Sequence, residues 1–422
     1  MKKSYLLLLA GLASLNGFSQ TTPATPANDY SVSVYGFVRT DYIFDSRKSA
    51  MAREDQLNLY PLDVAKDANG KDLNAVSQSN FLAVTSRLGV KVKGPDVWGA
   101  KMSGTLEGDF YGNIEGSSIG MLRLRHAYVN MDWSKTSLTL GQTWYPTFIP
   151  ECFPGVANFN TGILFNPFGW ATQAKLKQSF TKELSVTATL YKEREFASAA
   201  VTGTVANAAT INSALPTINA QLQYKGKNLF LGAGFEYKSL QPLTDNVAIA
   251  GSPKLVSSEK LNSSSVFAYG KYANDDIIIK AYGISGGNLN NLVMLGGFTG
   301  NTVAGIQSYD PTKTTAMWLD IASNGKTIAP GIFFGTTKNN GAGTAAGTLA
   351  QVYGRGLSAT RVVDNVWRTS ARIDFKKNKF RVSPELEYTA TTWGDGDLFG
   401  KATTNKKDVS NFRTMVSCVY TF

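Results

Sequence analysis

The sequence predicts an all-β chain, a transmembrane antiparallel up-and-down β-barrel of about 16 strands with short turns at one end and long loops at the other. Three observations predict it. From Val32 onward, runs of about ten residues alternate apolar and polar side chains, the period of a strand whose two faces meet different surroundings. Short and long connections between these runs take turns along the chain. Beyond about residue 20 no apolar run reaches the roughly 18 residues that a membrane helix needs, while 40 glycines and 11% aromatic residues suit a very large sheet.

Composition narrows the chemistry. With 422 residues, only 17% charged and well supplied with aromatics, the chain is not of the disordered class. Two cysteines exclude a disulfide scaffold and a Cys-rich metal site, and the single histidine, His126, leaves most metal and triad chemistry without its usual partner. No metal and no cofactor are expected.

The elements follow in order. Met1-Lys2-Lys3-Ser4, the apolar stretch Tyr5 to Leu15 and the small residues Gly17 and Ser19 form a secretory leader over 1–19. Its removal takes away two lysines and no acid, so the formal charge falls from +11 to +9. Residues 20–30 are a Pro/Thr spacer, and 31–422 are the barrel. In the first segment Val32, Val34, Val38 and Tyr42 share a face opposite Ser33, Arg39 and Asp41. The second sets Leu82, Val84, Leu88 and Val90 against Thr85, Arg87 and Lys91; the third sets Met102, Leu106 and Phe110 against Lys101, Glu107 and Asp109. Around His126 the parity changes, which predicts a β-bulge. Pro330 falls inside a candidate strand, where it would cost a ladder hydrogen bond. The last segment, Phe412-Thr414-Val416-Cys418-Tyr420-Phe422, alternates to the end of the chain.

Tight connections are expected at Lys93–Gly99, Ser134–Thr136, Phe180–Glu183, Lys225–Asn228, Asn274–Asp276, Ser323–Thr327 and Lys376–Lys379. Longer ones are expected at 45–79, 111–118, 146–169, 196–216, 240–262, 286–312, 337–365 and 392–408. Closure of such a sheet pairs every backbone group that lipid cannot satisfy. Aromatics near strand ends (Trp98, Trp133, Tyr145, Trp170, Tyr224, Tyr272, Phe375, Phe380, Tyr420) are expected to form interfacial girdles.

The polar parity should line a lumen. Its basic members are Arg39, Arg87, Lys91, Lys101, Lys175, Lys177, Lys280, Arg372, Arg381 and Arg413; its acidic members are Asp41, Glu107, Asp109, Glu236, Asp374, Glu385 and Glu387. A basic water-filled channel favours anionic solutes. The competing reading makes these charges wall salt bridges without a selectivity role. Basic residues alternating along strands form no nucleic-acid tract. The loop Pro146 to Gly169 carries Phe148, Phe153, Phe159, Phe165 and Phe168, four prolines and one formal charge, Glu151. So apolar a loop should pack into the barrel mouth, with Glu151 facing the basic wall; the alternative is an outward loop at a subunit contact.

Arg123-Leu124-Arg125-His126-Ala127-Tyr128-Val129, followed by Leu140-Gly141-Gln142-Thr143-Trp144, resembles the fourth and fifth strands of Gram-negative outer-membrane porins, and most of all the DcaP-like porins. The resemblance covers nearly the whole mature chain. It implies an outer-membrane location in contact with lipid and lipopolysaccharide, a homotrimer, a constriction loop at 146–169, and passage of small hydrophilic solutes. Phe422 resembles the terminal signal read by the barrel-assembly machinery. The N-terminal coiled coil of some members is absent here, which weakens transfer of their oligomer-specific features.

Three functional readings result. One is a diffusion porin with anion preference, another a channel specific for a sugar or small anionic solute, the third a structural or adhesive barrel closed by its loops. A TonB-dependent transporter is disfavoured because no plug precedes the first strand. Glu385 and Glu387 lie two apart on one strand face, unlike a glycosidase pair, and His126 has no nucleophile motif, so no enzyme is expected. Asp67 to Asp72 and Asp395-Gly396-Asp397 are oxygen-rich but read as turns rather than calcium sites. Cys152 and Cys418 are expected to be free.

Overall fold

A computed structural model describes residues 30–53, 56–112, 120–246 and 253–422. The leader, all of the spacer except Tyr30, and most of loop 111–118 lie outside the described residues.

The strands run in chain order as β1 (Ser31–Asp45), β2 (Ser49–Met51), β3 (Asn58–Pro61), β4 (Gln78–Leu82), β5 (Arg87–Val97), β6 (Ala100–Asp109) and β7 (Arg123–Asp132). They continue as β8 (Thr136–Trp144), β9 (Trp170–Ser179), β10 (Leu184–Glu193), β11 (Thr217–Lys225), β12 (Leu229–Leu240), β13 (Leu261–Ala273) and β14 (Ile277–Gly287). The last are β15 (Gly296–Val303), β16 (Ile306–Pro311), β17 (Lys313–Ser323), β18 (Ile328–Gly341), β19 (Val352–Arg355), β20 (Arg361–Lys377), β21 (Phe380–Gly396) and β22 (Ala402–Thr421). One large antiparallel sheet holds most of them, and it closes because β1 pairs with β22 on one edge and with β4 and β5 on the other. With β4 and β5 as two halves of one stave, the wall is a closed barrel of 16 strands. Every wall strand except the β4–β5 stave is joined to the next without a break in chain order. Among the described strands, only the loop strands β2, β3, β15, β16 and β19 stand outside the barrel sheet.

Alternation does what the sequence requires of it. Val34, Leu106, Leu140, Leu222, Val266, Phe334 and Leu386 are exposed on the outside, where lipid is their solvent. Both termini of the barrel lie at the short-turn end, with Phe37 opposite Thr421.

Four local departures are informative. The second stave breaks at Ala83–Ser86, so Val84 packs inward against the interior cluster instead of sharing the outer face with Leu88. Pro330 pairs with Ile373 of β20, but pairing to β17 ends at Gly331, so no ladder bond to β17 is lost. Tyr145 and Trp170 are not girdle residues: both are fully buried, Trp170 stacking on Trp144 inside the barrel, because the chain turns inward at Gly169 (φ 127°). The expected loop 392–408 is largely strand, since β21 and β22 pair up to Gly396 and Ala402, leaving only a short turn.

The interior is not empty. The loop between β8 and β9, residues 145–169, folds into the barrel and shares one apolar cluster with wall aromatics, with Leu57, Leu59 and Tyr60 of the first loop, and with Leu289 and Leu292 to Leu295 of the sixth.

Candidate functional site: the pore chambers around the third loop

Wall side chains hold the backbone of the third loop at many points. Gln221 Nε2 donates to the Pro146 carbonyl at 2.6 Å, Tyr282 Oη to Thr147 at 3.1 Å, and Lys280 Nζ to Phe153 at 2.9 Å. Arg39 Nη2 donates to the Ala157 carbonyl at 2.7 Å, while the Ala157 N–H donates to Glu385 Oε2 at 2.5 Å. Asn158 donates to Glu387 at 3.3 Å, the Trp318 indole donates to Asn166 at 3.1 Å, and the Cys152 thiol donates to Gly270 at 3.1 Å. A buried loop must find partners for its peptide groups, and Gln221, Tyr282, Lys280, Arg39 and Glu385 supply five of them, while the side chains of Asn158, Asn166 and Cys152 add the other three bonds. The close approach shows at Gly155, where a Cβ would lie 2.5 Å from Arg372 Nη2.

The phenylalanines supply the packing. Phe148, Phe159, Phe165 and Phe168 are buried; Phe148 stacks on Trp144 at 4.0 Å, and Phe153 stacks on Phe148 at 5.6 Å. Behind the loop runs an inward row of wall aromatics, Tyr269, Tyr282, Trp318 and Phe333, with ring centroids 6.1 to 6.4 Å apart. All four are buried.

The loop leaves two chambers. The larger, of about 800 Å³, opens towards the short-turn end and is lined by Arg39, Arg87, Arg125, Lys280, Lys376, Lys379 and Arg381 together with Phe37, Trp144, Phe153 and Phe380. Among the described residues, no Asp or Glu lines it. Carboxylates stand just behind: Asp41 is 2.7 Å from Arg39, Glu107 is 2.8 Å from Arg125 and 3.5 Å from Arg87, and Asp374 is 3.8 Å from Arg381. Asp109 also stands 3.5 Å from Arg125, so seven cations face four nearby carboxylates and the chamber stays positive. The smaller chamber, about 190 Å³, brings Glu151 of the loop together with Lys175 and Lys177.

The remaining candidates fall into four groups. Arg372 pairs with Asp320 at 2.8 Å and Arg413 with Asp45 at 2.7 Å, both deeply buried. Asp109 pairs with Arg123 at 2.7 Å, and Glu236 accepts from Asn219 at 3.0 Å. Lys91 stands over the Tyr35 ring, and Lys101 lies at the short-turn rim, paired with Asp96 and 79% exposed. Glu385 and Glu387 are covered by the third loop, Glu387 also pairing with Arg368 at 3.3 Å. Alternation alone therefore placed side chains on the inner wall without saying which of them the loop backbone would occupy.

Sequence reasoning missed Arg125 and Arg368 as wall charges. Arg125 is the extra residue of the expected bulge: Glu107 faces His126, but Gly108 faces Leu124. Arg125 and His126 consequently turn inward together, and His126 sits 3.7 Å from Glu107 and edge-on to Trp144. Arg368 lies on the inward parity of β20, four residues before Arg372, and that spacing is the signal that could have found it. In the outer loops Asp67 Oδ1 accepts from the backbone of Asn69 and Lys71, turn geometry as expected, and Asp395 pairs with Arg361 at 2.8 Å. Cys152 and Cys418 are free thiols.

Comparison with known proteins agrees with this architecture. The family model described as DcaP outer membrane protein matches residues 8–291. Among solved structures, the outer membrane channel DcaP of Acinetobacter baumannii superposes with a TM-score of 0.68 at 17% identity, covering 93% of this chain and 97% of that one. An anion-selective porin from Comamonas acidovorans gives 0.54 at 13% identity over 93% and 100%. OmpT of Vibrio cholerae gives 0.55 at 11% identity over 94% and 99%. At these identities the structural likeness establishes the fold alone. Among proteins with curated functions, none matches the chain in sequence. The family match over most of the chain and the closed wall of 16 strands have one meaning together: this chain is a Gram-negative outer-membrane β-barrel that belongs to the DcaP outer membrane protein family.

Proposed function

We propose that the barrel is a diffusion porin for small hydrophilic solutes with a preference for anions, and that it has no enzymatic activity. The observation that carries this reading is the chamber below the third loop, whose charged lining residues are all Lys or Arg. In a confined aqueous space with low-dielectric walls, such a lining raises the local anion concentration and lowers the entry barrier for negative solutes. For a sugar-specific channel, the row Tyr269, Tyr282 and Trp318 is covered by the third loop, and the aromatic faces available are those of Phe37, Trp144, Phe153 and Phe380 in the larger chamber. Homotrimeric assembly and contacts with lipopolysaccharide belong to the same proposal.

A second reading, a barrel closed by its loops, is favoured by one observation: the first and sixth loops pack onto the third, with Phe168 N–H donating to the Leu292 carbonyl at 3.0 Å. Single-channel recording in a planar bilayer decides between them. A conducting pore whose reversal potential in a KCl gradient favours chloride supports the first reading; potassium preference overturns its anionic part, and absence of conductance favours the second.

A further inference from the structure

The wall has an open seam at the bulge. The ladder between β7 and β8 stops at the pair Ala127–Gln142, although β7 extends to Arg123 and β8 to Trp144. Beyond that pair β7 bonds only to β6, through Leu124 and Arg123, and β8 only to β9, through Thr143 and Trp144. In a lipid-embedded barrel a gap in the ladder is costly, since hydrocarbon offers backbone groups no substitute partner.

Gln142 stitches the gap from outside. Its Nε2 donates to the Leu124 carbonyl at 2.9 Å and to the Arg125 carbonyl at 3.3 Å. The surrounding outer surface is apolar, with Leu106, Leu124 and Leu140 each about half exposed. An amide among such neighbours is unfavourable unless bonded, and this one is bonded to the two carbonyls that flank the bulge. On the other side of the same backbone, Arg125 points into the barrel: its guanidinium pairs with Glu107 at 2.8 Å and lies 4.4 Å from the Trp170 ring and 5.0 Å from that of Trp144. Arg125 stands at the wall of the basic chamber, its side chain fully buried against Trp144 and Trp170. If the bulge relaxed into regular alternation, Arg125 would take the outward parity of Ala127 and Val129.

We infer that Gln142 is a positioning residue of the pore, which from the lipid face fixes the bulge that presents Arg125 to the chamber. As a statement about selectivity this rests on the anion reading above; as a statement about where residue 125 points, it does not.

The test uses Gln142→Met, which keeps length and removes the donor, with Gln142→Leu as a second variant. Each is combined with Arg125→Cys in a barrel whose Cys152 and Cys418 are replaced by Ser. The rate at which a water-soluble methanethiosulfonate changes the single-channel current reports whether residue 125 faces the lumen. Several-fold slower modification in the Gln142 variants is expected. In the native cysteine background, Gln142→Met should shift the reversal potential in the same direction as Arg125→Gln, and the double variant should shift no further than Arg125→Gln alone. Unchanged modification rates, or additive shifts, overturn the inference. Slower modification with no shift in either single variant keeps the positioning role and removes the anion reading at this site. Failure of both Gln142 variants to give the folded, heat-modifiable form would show the amide sustaining the barrel rather than aiming Arg125, and overturns the inference as well.

Discussion

At the residue scale, inner-wall charges divide into those that hold structure and those left facing solution. Arg39, Lys280 and Glu385 bond the third loop, and Arg372 and Arg413 are locked to carboxylates. Lys175 and Lys177 share a chamber with Glu151 at the side of the third loop. Replacing both with Glu should move the reversal potential towards cations, and no change would assign selectivity to the larger chamber alone. A second prediction concerns Asp72 in the first loop. Burial opposes ionisation, but the Asn74 and Ala65 N–H groups and Arg47 at 2.7 Å outweigh it and lower the Asp72 pKa below its usual 3.8. A depressed carboxylate contributes stability that is fully present above the unfolded value and is lost as pH falls through the folded one. The first loop should therefore become protease-sensitive only below about pH 4, and Asp72→Asn should be sensitive at neutral pH. Equal cleavage of both proteins at pH 7 would remove Asp72 from that role.

At the element scale, the third loop is the decisive segment. Four of its five phenylalanines are buried, each stabilising the inward position by on the order of 1.5–3 kcal/mol relative to exposure. Its prolines restrict the unfolded chain and so lower the entropy cost of ordering. Shortening the loop between Phe148 and Phe168 should raise single-channel conductance and admit larger sugars in liposome swelling, with the barrel still folded because no strand is altered. Unchanged conductance and size cutoff in a folded variant would place the limiting constriction in the first and sixth loops, which pack on the third. That packing had no signature in the sequence. Leu292 to Leu295 is a short apolar run, and only the path of the neighbouring staves brings it over the third loop.

At the scale of the whole molecule, closure depends on one seam formed by residues nearly 400 positions apart in sequence. Arg39 lies opposite Val419 and Asp45 opposite Arg413, so β22 must be in place before β1 can complete the ring. Phe422 extends that strand: its N–H donates to the Gly36 carbonyl at 3.1 Å, and its ring reaches the same glycine. Phe422→Ser should reduce the heat-modifiable, membrane-inserted fraction. Equal yields of folded mutant and wild type would show that β22 closes without the terminal aromatic. Most pairings join strands adjacent in the chain; the β1–β22 seam is the contact of great sequence separation, which makes closure slow relative to hairpin formation.

The sequence by itself determined the wall: strand number, the alternation of lipid and lumen faces, the ends at which turns and loops lie, and the bulge near His126. Those properties follow from period and spacing, which are local, and lipid enforces them because it satisfies no open edge. Tertiary structure decided the interior. Whether Arg39 faces a solute or a loop carbonyl, whether Arg125 points in or out, and which loops fill the mouth depend on where the third loop's peptide groups find partners across the lumen. Those partners come from strands hundreds of residues apart, and no period in the sequence encodes the distance between them.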